Sequence, residues 1–150
     1  MILTSTRIWL ASVLTTASLN ISAATSCGAL EIHNFWVRAA PPVAKVIAAY
    51  GALKNTGSEP IRITGVSSPC CSHGMMHDTI EEDGVSRMRH RESIDLAPGD
   101  TQTLAPGGLH LMLMQPESVP KVGDSVELIL QCREGEDTAD VAVNATVKRQ

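Results

Sequence analysis

The chain has 150 residues and a formal net charge of −4, enough for one domain with a substantial core. Its basic residues are scattered rather than clustered, which argues against nucleic acid as a partner. Five histidines, six methionines and four cysteines leave soft-metal chemistry open.

The first segment reads as a secretory signal peptide. Arg7 is its only charge, an apolar stretch runs from Ile8 to Ile21, and Ser22, Ala23 and Ala24 supply the small residues of a cleavage site. The stretch is too short and too rich in hydroxyl side chains to span a bilayer unaided. The expected division is residues 1–24 as the leader and 25–150 as a single mature domain. Loss of Arg7 leaves 126 residues with 11 basic and 16 acidic side chains, a net charge of −5. No later stretch could cross a membrane, so the mature chain is expected in the periplasm. Cys27 raises lipid anchoring as a second possibility, but Ala24 stands where a lipobox usually carries leucine.

All four cysteines, Cys27, Cys70, Cys71 and Cys132, stay in the mature chain. An oxidising compartment favours disulfides. Cys27–Cys132 is credible, as is a bridge from either to the Cys70/Cys71 pair, and the sequence does not choose.

From Glu31 onward, short β-favouring runs alternate with turn signals. The expected strands are Glu31–Arg38, Lys45–Lys54, Ile61–Val66, His73–Ile80, Ser86–Leu96, Thr101–Leu104, Leu109–Gln115, Ser125–Cys132 and Ala139–Lys148. Asn55–Gly57, Asp83-Gly84, Pro98–Asp100, Pro106–Gly108, Gly123-Asp124 and Gly135 punctuate them. No window sustains a helical period, and many short strands at even spacing predict an all-β antiparallel sandwich.

The run Leu109-His110-Leu111-Met112-Leu113-Met114 alternates strictly. Its leucines share one face, a core face, and His110, Met112 and Met114 share the other. His77 and Met88 flank Asp83-Gly84 and are expected to face each other across a hairpin. Thioethers are soft and neutral, so a His/Met set selects Cu(I) over Zn²⁺, Mg²⁺ and Ca²⁺. It also avoids thiolate ligands, which an oxidising compartment removes. His77, Met88, His110 and Met112 are the candidate metal ligands. Against this stands the commoner use of methionine as core filler and of a lone histidine as a satisfied structural residue.

In these residues the chain resembles the periplasmic copper chaperones of the PCuAC type. Their hallmark is a histidine, ten residues, a methionine, twenty-one residues, then His-x-Met, which His77, Met88, His110 and Met112 reproduce without a gap. Trp36-Val37-Arg38-Ala39-Ala40-Pro41, Ala48–Asn55 and Leu104–His110 look like further family signatures. The resemblance implies a cupredoxin-like sandwich, a surface-accessible Cu(I) site, and delivery to a copper-accepting protein such as the copper centre of a respiratory oxidase or its assembly factor.

Ser86 stands where relatives often carry a second methionine, leaving Met88 as that strand's only thioether. The segment Cys70–His77 is unusually rich in soft ligands. On an extended strand His73, Met75 and His77 share a face, which admits a wider or second copper site. Met76 lies in the same soft segment, His90 could join Met88, and the extra histidines leave room for Cu(II) as a loading intermediate.

Three other classes are in play. A blue-copper-like electron carrier would use Cys70, His73, Met76 and the distant His33, although that ligand loop normally lies near the end of such a chain. An enzyme, either a copper/zinc dismutase or a thiol oxidoreductase, would need a denser histidine set or a Cys-x-x-Cys on a βαβ scaffold, and no nucleophile-plus-base pair is evident. A metal-free interaction sandwich would tolerate leucine in place of Met88 and Met112.

Overall fold

The computed structural model describes residues 27–149, so the leader expected over residues 1–24 lies outside the described residues. Among the described residues there are ten strands and no helix: β1 (Leu30–Arg38), β2 (Val46–Asn55), β3 (Ile61–Ser67), β4 (Cys71–Glu82), β5 (Val85–Arg91), β6 (Ile94–Leu96), β7 (Thr101–Leu104), β8 (Leu109–Pro116), β9 (Ser125–Glu134) and β10 (Asp137–Lys148). The hydrogen-bonded order is β5-β4-β8-β2-β1-β10-β9-β3-β6, with β7 paired to β2. All the pairings are antiparallel except β1–β10.

This continuous order folds back on itself into a sandwich. β3 and β4 stand far apart along it, yet Gly74 of β4 lies so close to Val66 of β3 that a Cβ there would collide with the Val66 carbonyl and side chain. The two layers enclose Leu53, Ile61, Ile63, Leu96, Leu104, Leu111, Leu113, Leu128 and Leu130, all fully buried. Gly74→Ala must push the layers apart at a backbone contact. The expected cost is about 1–3 kcal/mol in urea unfolding, with a wild-type m-value.

The anticipated run Ser86–Leu96 is not one strand. It breaks after Arg91: β5 stays with β4, while β6 crosses to pair with β3 in the other layer. Ile94 and Leu96 are buried, whereas every residue of β5 is exposed. Two short strands let the chain bury its apolar end in one layer and leave its charged part on an edge.

β1 carries a bulge that the alternation did not announce. Asn34 has φ 52°, and the register against β2 shifts between His33 and Trp36. An inserted residue reverses the facing of everything after it. Phe35 and Val37 thereby enter the core, and Trp36 turns to the opposite face.

Asn55, the last residue of the Ala48–Asn55 signature, is a latch rather than a site residue. It is fully buried; its Nδ2 donates to the carbonyls of Glu59 (2.7 Å) and Leu96 (3.1 Å), and its Oδ1 accepts from the Gly57 amide (2.9 Å). A buried amide so satisfied fixes the β2–β3 turn. Of the cysteines, Cys27 and Cys132 form a disulfide across 105 residues of sequence, while Cys70 and Cys71 are unbridged.

Candidate metal centre

The site lies on the outward face of β2, β8, β4 and β5. Strand β8 alternates as expected: Leu111 and Leu113 are fully buried in the core, and His110, Met112 and Met114 project from the other side. Antiparallel pairing sets three β4 residues directly opposite these three. His77 faces His110, Met75 faces Met112, and His73 faces Met114. Directly paired residues point to the same side of a sheet, with Cβ atoms about 4.5–5.5 Å apart.

His77 and His110 form the centre. Their ring centroids are 6.2 Å apart and the planes are nearly parallel, at 28°. The Nδ1–H of His110 donates to the Gly108 carbonyl at 2.8 Å. This fixes the tautomer and leaves Nε2 with its lone pair free, the arrangement that orients a metal-binding imidazole. His77 Nδ1 is buried with no hydrogen-bond partner. An orphaned buried ring nitrogen is costly unless something else takes its lone pair, and a soft cation fits that role.

Met112 and Met88 flank His77 on opposite diagonals. Met112 sits one row away on β8, beside Met75. Met88 lies on β5 opposite Thr79, and the residue that directly faces His77 there is His90. The anticipated face-to-face pairing of His77 with Met88 is therefore corrected to a diagonal one. The turn explains the offset: Asp83 and Gly84 both have positive φ (54° and 77°), a two-residue hairpin turn that pairs Glu82 with Val85 and fixes every later register. Diagonal neighbours stay within reach of long side chains. Met88 is 62% exposed, on an edge strand where the hairpin runs beyond the end of β8.

On the reverse side of the hairpin, Arg91 bonds Asp78 (3.1 Å), and Arg89 and Arg87 both pair with Glu82. These exposed pairs hold β5 against β4 only modestly, but they keep its cations off the site face. That face instead continues as a row of rings. His90 packs edge-on to His77 at 5.5 Å, Tyr50 lies 6.3 Å from His110, and Trp36 lies 4.7 Å from Tyr50. Sequence reasoning missed Trp36 and Tyr50 as members of this face, because the bulge at Asn34 that turns Trp36 outward has no periodic signature.

Burial first, then the nearby His90 and His110, lowers the His77 pKa from its ordinary value. Its ring therefore stays neutral, and able to bind metal, further into acid than a free histidine. In the folded chain His77 takes up fewer protons than when unfolded, so stability contributed by the neutral ring is lost as pH falls below about 6.5. Cu(I) affinity should be flat above that pH and decline in acid through the imidazoles alone, because thioethers do not titrate. A pH series of competition titrations checks this; affinity still rising with pH through pH 8 would point to thiolate ligands.

The thiols are poorly suited to the task. Burial, a hydrogen bond and charge repulsion from Cys70, and the charge of Glu117 push the Cys71 thiol up to about 12, so it is protonated at neutral pH. The blue-copper set is not assembled, since Met76 is buried on the core face, opposite to His73, and the His33 ring is bonded to Glu31 at 3.1 Å. Among the described residues no three His, Cys, Asp or Glu side chains are grouped to hold a metal by themselves. The side chains beside the two histidines on this face are His90 and the thioethers of Met75, Met88 and Met112.

Fold and face together define a cupredoxin-like β-sandwich of the PCuAC type. The copper-bound PCuAC domain from PmoF2 matches with a TM-score of 0.68 and 25% identity over 83% of this chain and 97% of that one. The Cu(I) form of DR1885 from Deinococcus radiodurans matches with a TM-score of 0.58 and 28% identity, over 86% of this chain and 83% of that one. More particularly, the chain belongs to the LpqE-like family, described as "Putative lipoprotein LpqE-like", whose profile matches residues 30–147. A curated relative, "Putative lipoprotein Lxx21020" of Leifsonia xyli subsp. xyli, is 33% identical over 115 residues, 76% of this chain and 68% of its own length.

Proposed function

We propose that this chain is an exported metallochaperone that holds Cu(I) with His77, His110, Met112 and Met88 and passes it to a copper-accepting protein. The observation that carries the reading is the His77–His110 pair, with one ring nitrogen orphaned and the other ring held by Gly108, set between two thioethers. The donor chemistry selects Cu(I), and two solved PCuAC-type neighbours carry copper by their own descriptions.

The roles divide by exposure. Neutral imidazoles anchor the ion on the rigid β4–β8 pair, and Met112 supplies a half-buried thioether beside them. Met88, exposed on the edge strand, is the ligand that a partner can displace first. Transfer then proceeds by exchanging one ligand at a time, without unfolding and without chemistry on the cargo. The recipient is a copper centre of the kind found in a respiratory oxidase, or a factor that assembles one.

Export is consistent with the leader-like first 24 residues, with relatives described as lipoproteins, and with a disulfide, which persists in oxidising compartments. Cys27 spends its sulfur on Cys132, so a lipid thioether on that residue and the bridge exclude each other. The periplasmic form proposed here is soluble.

The test is an anaerobic titration of the mature protein with Cu(I) against a coloured chelator, beside the Met88→Leu/Met112→Leu double variant. Leucine nearly preserves volume and apolarity, so Trp36 emission should report an intact fold while affinity falls by at least about 100-fold. Equal affinity in parent and folded variant overturns the ligand assignment and favours a metal-free interaction domain.

A further inference from the structure

The main centre uses only part of the soft ladder on this face. Beyond the His77–His110 row lies Met75–Met112, and beyond that His73–Met114. On β2, Ala48 pairs with Met112 and Val46 with Met114. Both are aliphatic and small or short, so the β2 side of this margin brings no carboxylate or ammonium, while on β4 the same face continues to Cys71 opposite Pro116. His73 is exposed, and Met75 and Met114 are half-buried, so all three can reach a solvent-borne ion.

We propose that His73, Met75 and Met114 form a second Cu(I) position on the β4–β8 ladder, beside the first. His73 and Met114 are directly opposed, and Met75 is both the next residue of that face on β4 and the diagonal neighbour of Met114. One imidazole and two thioethers make a neutral three-donor set, a match for Cu(I) and a poor one for hard divalent ions. With a single nitrogen donor and no carboxylate or thiolate among its three side chains, the set differs from the nitrogen- and oxygen-rich donors that suit Zn²⁺ or Cu(II).

Four residues of strand separate His73 from His77, a spacing of roughly 13 Å. Because Met112 of the first set faces Met75 of the second, the two ions lie closer than this, and their repulsion weakens the second by about tenfold or more. Loading is then sequential: a tight ion at the histidine pair, and a weaker one that can move along the ladder when the first departs. The inference rests on the Cu(I) reading of the main centre, and its test separates the two.

Mature protein is titrated anaerobically with Cu(I) against a coloured chelator, in parallel with His73→Ala/Met114→Leu and His77→Ala/His110→Ala. The parent is expected to take two ions, the first variant one at unchanged tight affinity, and the second only the weaker one. A parent stoichiometry of one, or two ions retained by His73→Ala/Met114→Leu, overturns the second position and leaves the main centre standing. A parent that takes none overturns both.

Discussion

Removing either central imidazole should nearly abolish Cu(I) binding at the histidine pair while sparing the fold. His77→Ala and His110→Ala are each expected to lower affinity by more than about 100-fold, beyond the 10–100-fold that accompanies loss of an outer-sphere partner. Replacing both leaves the main centre with two thioethers separated by the width of the site. The two single variants differ in a useful way. His77 carries an orphaned ring nitrogen, so its truncation removes a buried polar atom that the metal-free protein does not satisfy and should cost little stability. His110 is 6% exposed and donates to Gly108, so its truncation loses a made hydrogen bond and opens a small void, for about 1–3 kcal/mol. Competition titration and thermal unfolding of both variants read the two effects separately. Affinity within tenfold of the parent in both would remove the histidine pair from the site.

Breaking Cys27–Cys132 should cause a large loss of stability for a single substitution. The bridge spans 105 residues of sequence, and closing so long a loop restricts the unfolded chain by about 4–5 kcal/mol. It also ties the segment before β1 to β9, where Cys132 is fully buried. Cys132→Ala, or reduction of the parent, is expected to lower Tm by on the order of 15 °C. Cu(I) affinity measured below the new transition should be unchanged, because neither cysteine lies on the β8–β4–β5 face. A Tm within 2–3 °C of the parent would mean that the bridge constrains little.

Much of this architecture was legible in the sequence because period-two alternation is a direct image of a half-buried strand. Leu109–Met114 showed both the core leucines and the opposite face that carries His110, Met112 and Met114, and the turn residues located most strand ends to within two positions. What escaped legibility is long-range or single-residue. Nothing local says that Ser86–Leu96 divides between layers, since the division depends on which partner strand lies nearby. The bulge at Asn34 costs one residue and reverses a facing. The cysteine pairing depends on ends brought together by the whole fold, and pairing Cys27 with Cys132 leaves the two neighbours as thiols. The offset of Met88 could have been found: a two-residue Asp83-Gly84 turn pairs Glu82 with Val85, and counting back from there puts His90, not Met88, opposite His77.

The family spacing of His77, Met88, His110 and Met112 therefore reads on the structure as a diagonal across three strands. The histidines are central, one thioether is sheltered and one is presented at an edge. This gradient of exposure fits the proposed role, in which the ion is to be released rather than kept.

The most direct measurement is copper-edge X-ray absorption of the protein loaded anaerobically with one equivalent of Cu(I). A reduced edge and a mixed shell of imidazole nitrogen and thioether sulfur are expected, with sulfur reduced by Met88→Leu/Met112→Leu when His73→Ala/Met114→Leu is also present, and unchanged in Cys70→Ser/Cys71→Ser. A shell of nitrogen and oxygen only, or one whose sulfur disappears with the two cysteines, would contradict the ligand assignment.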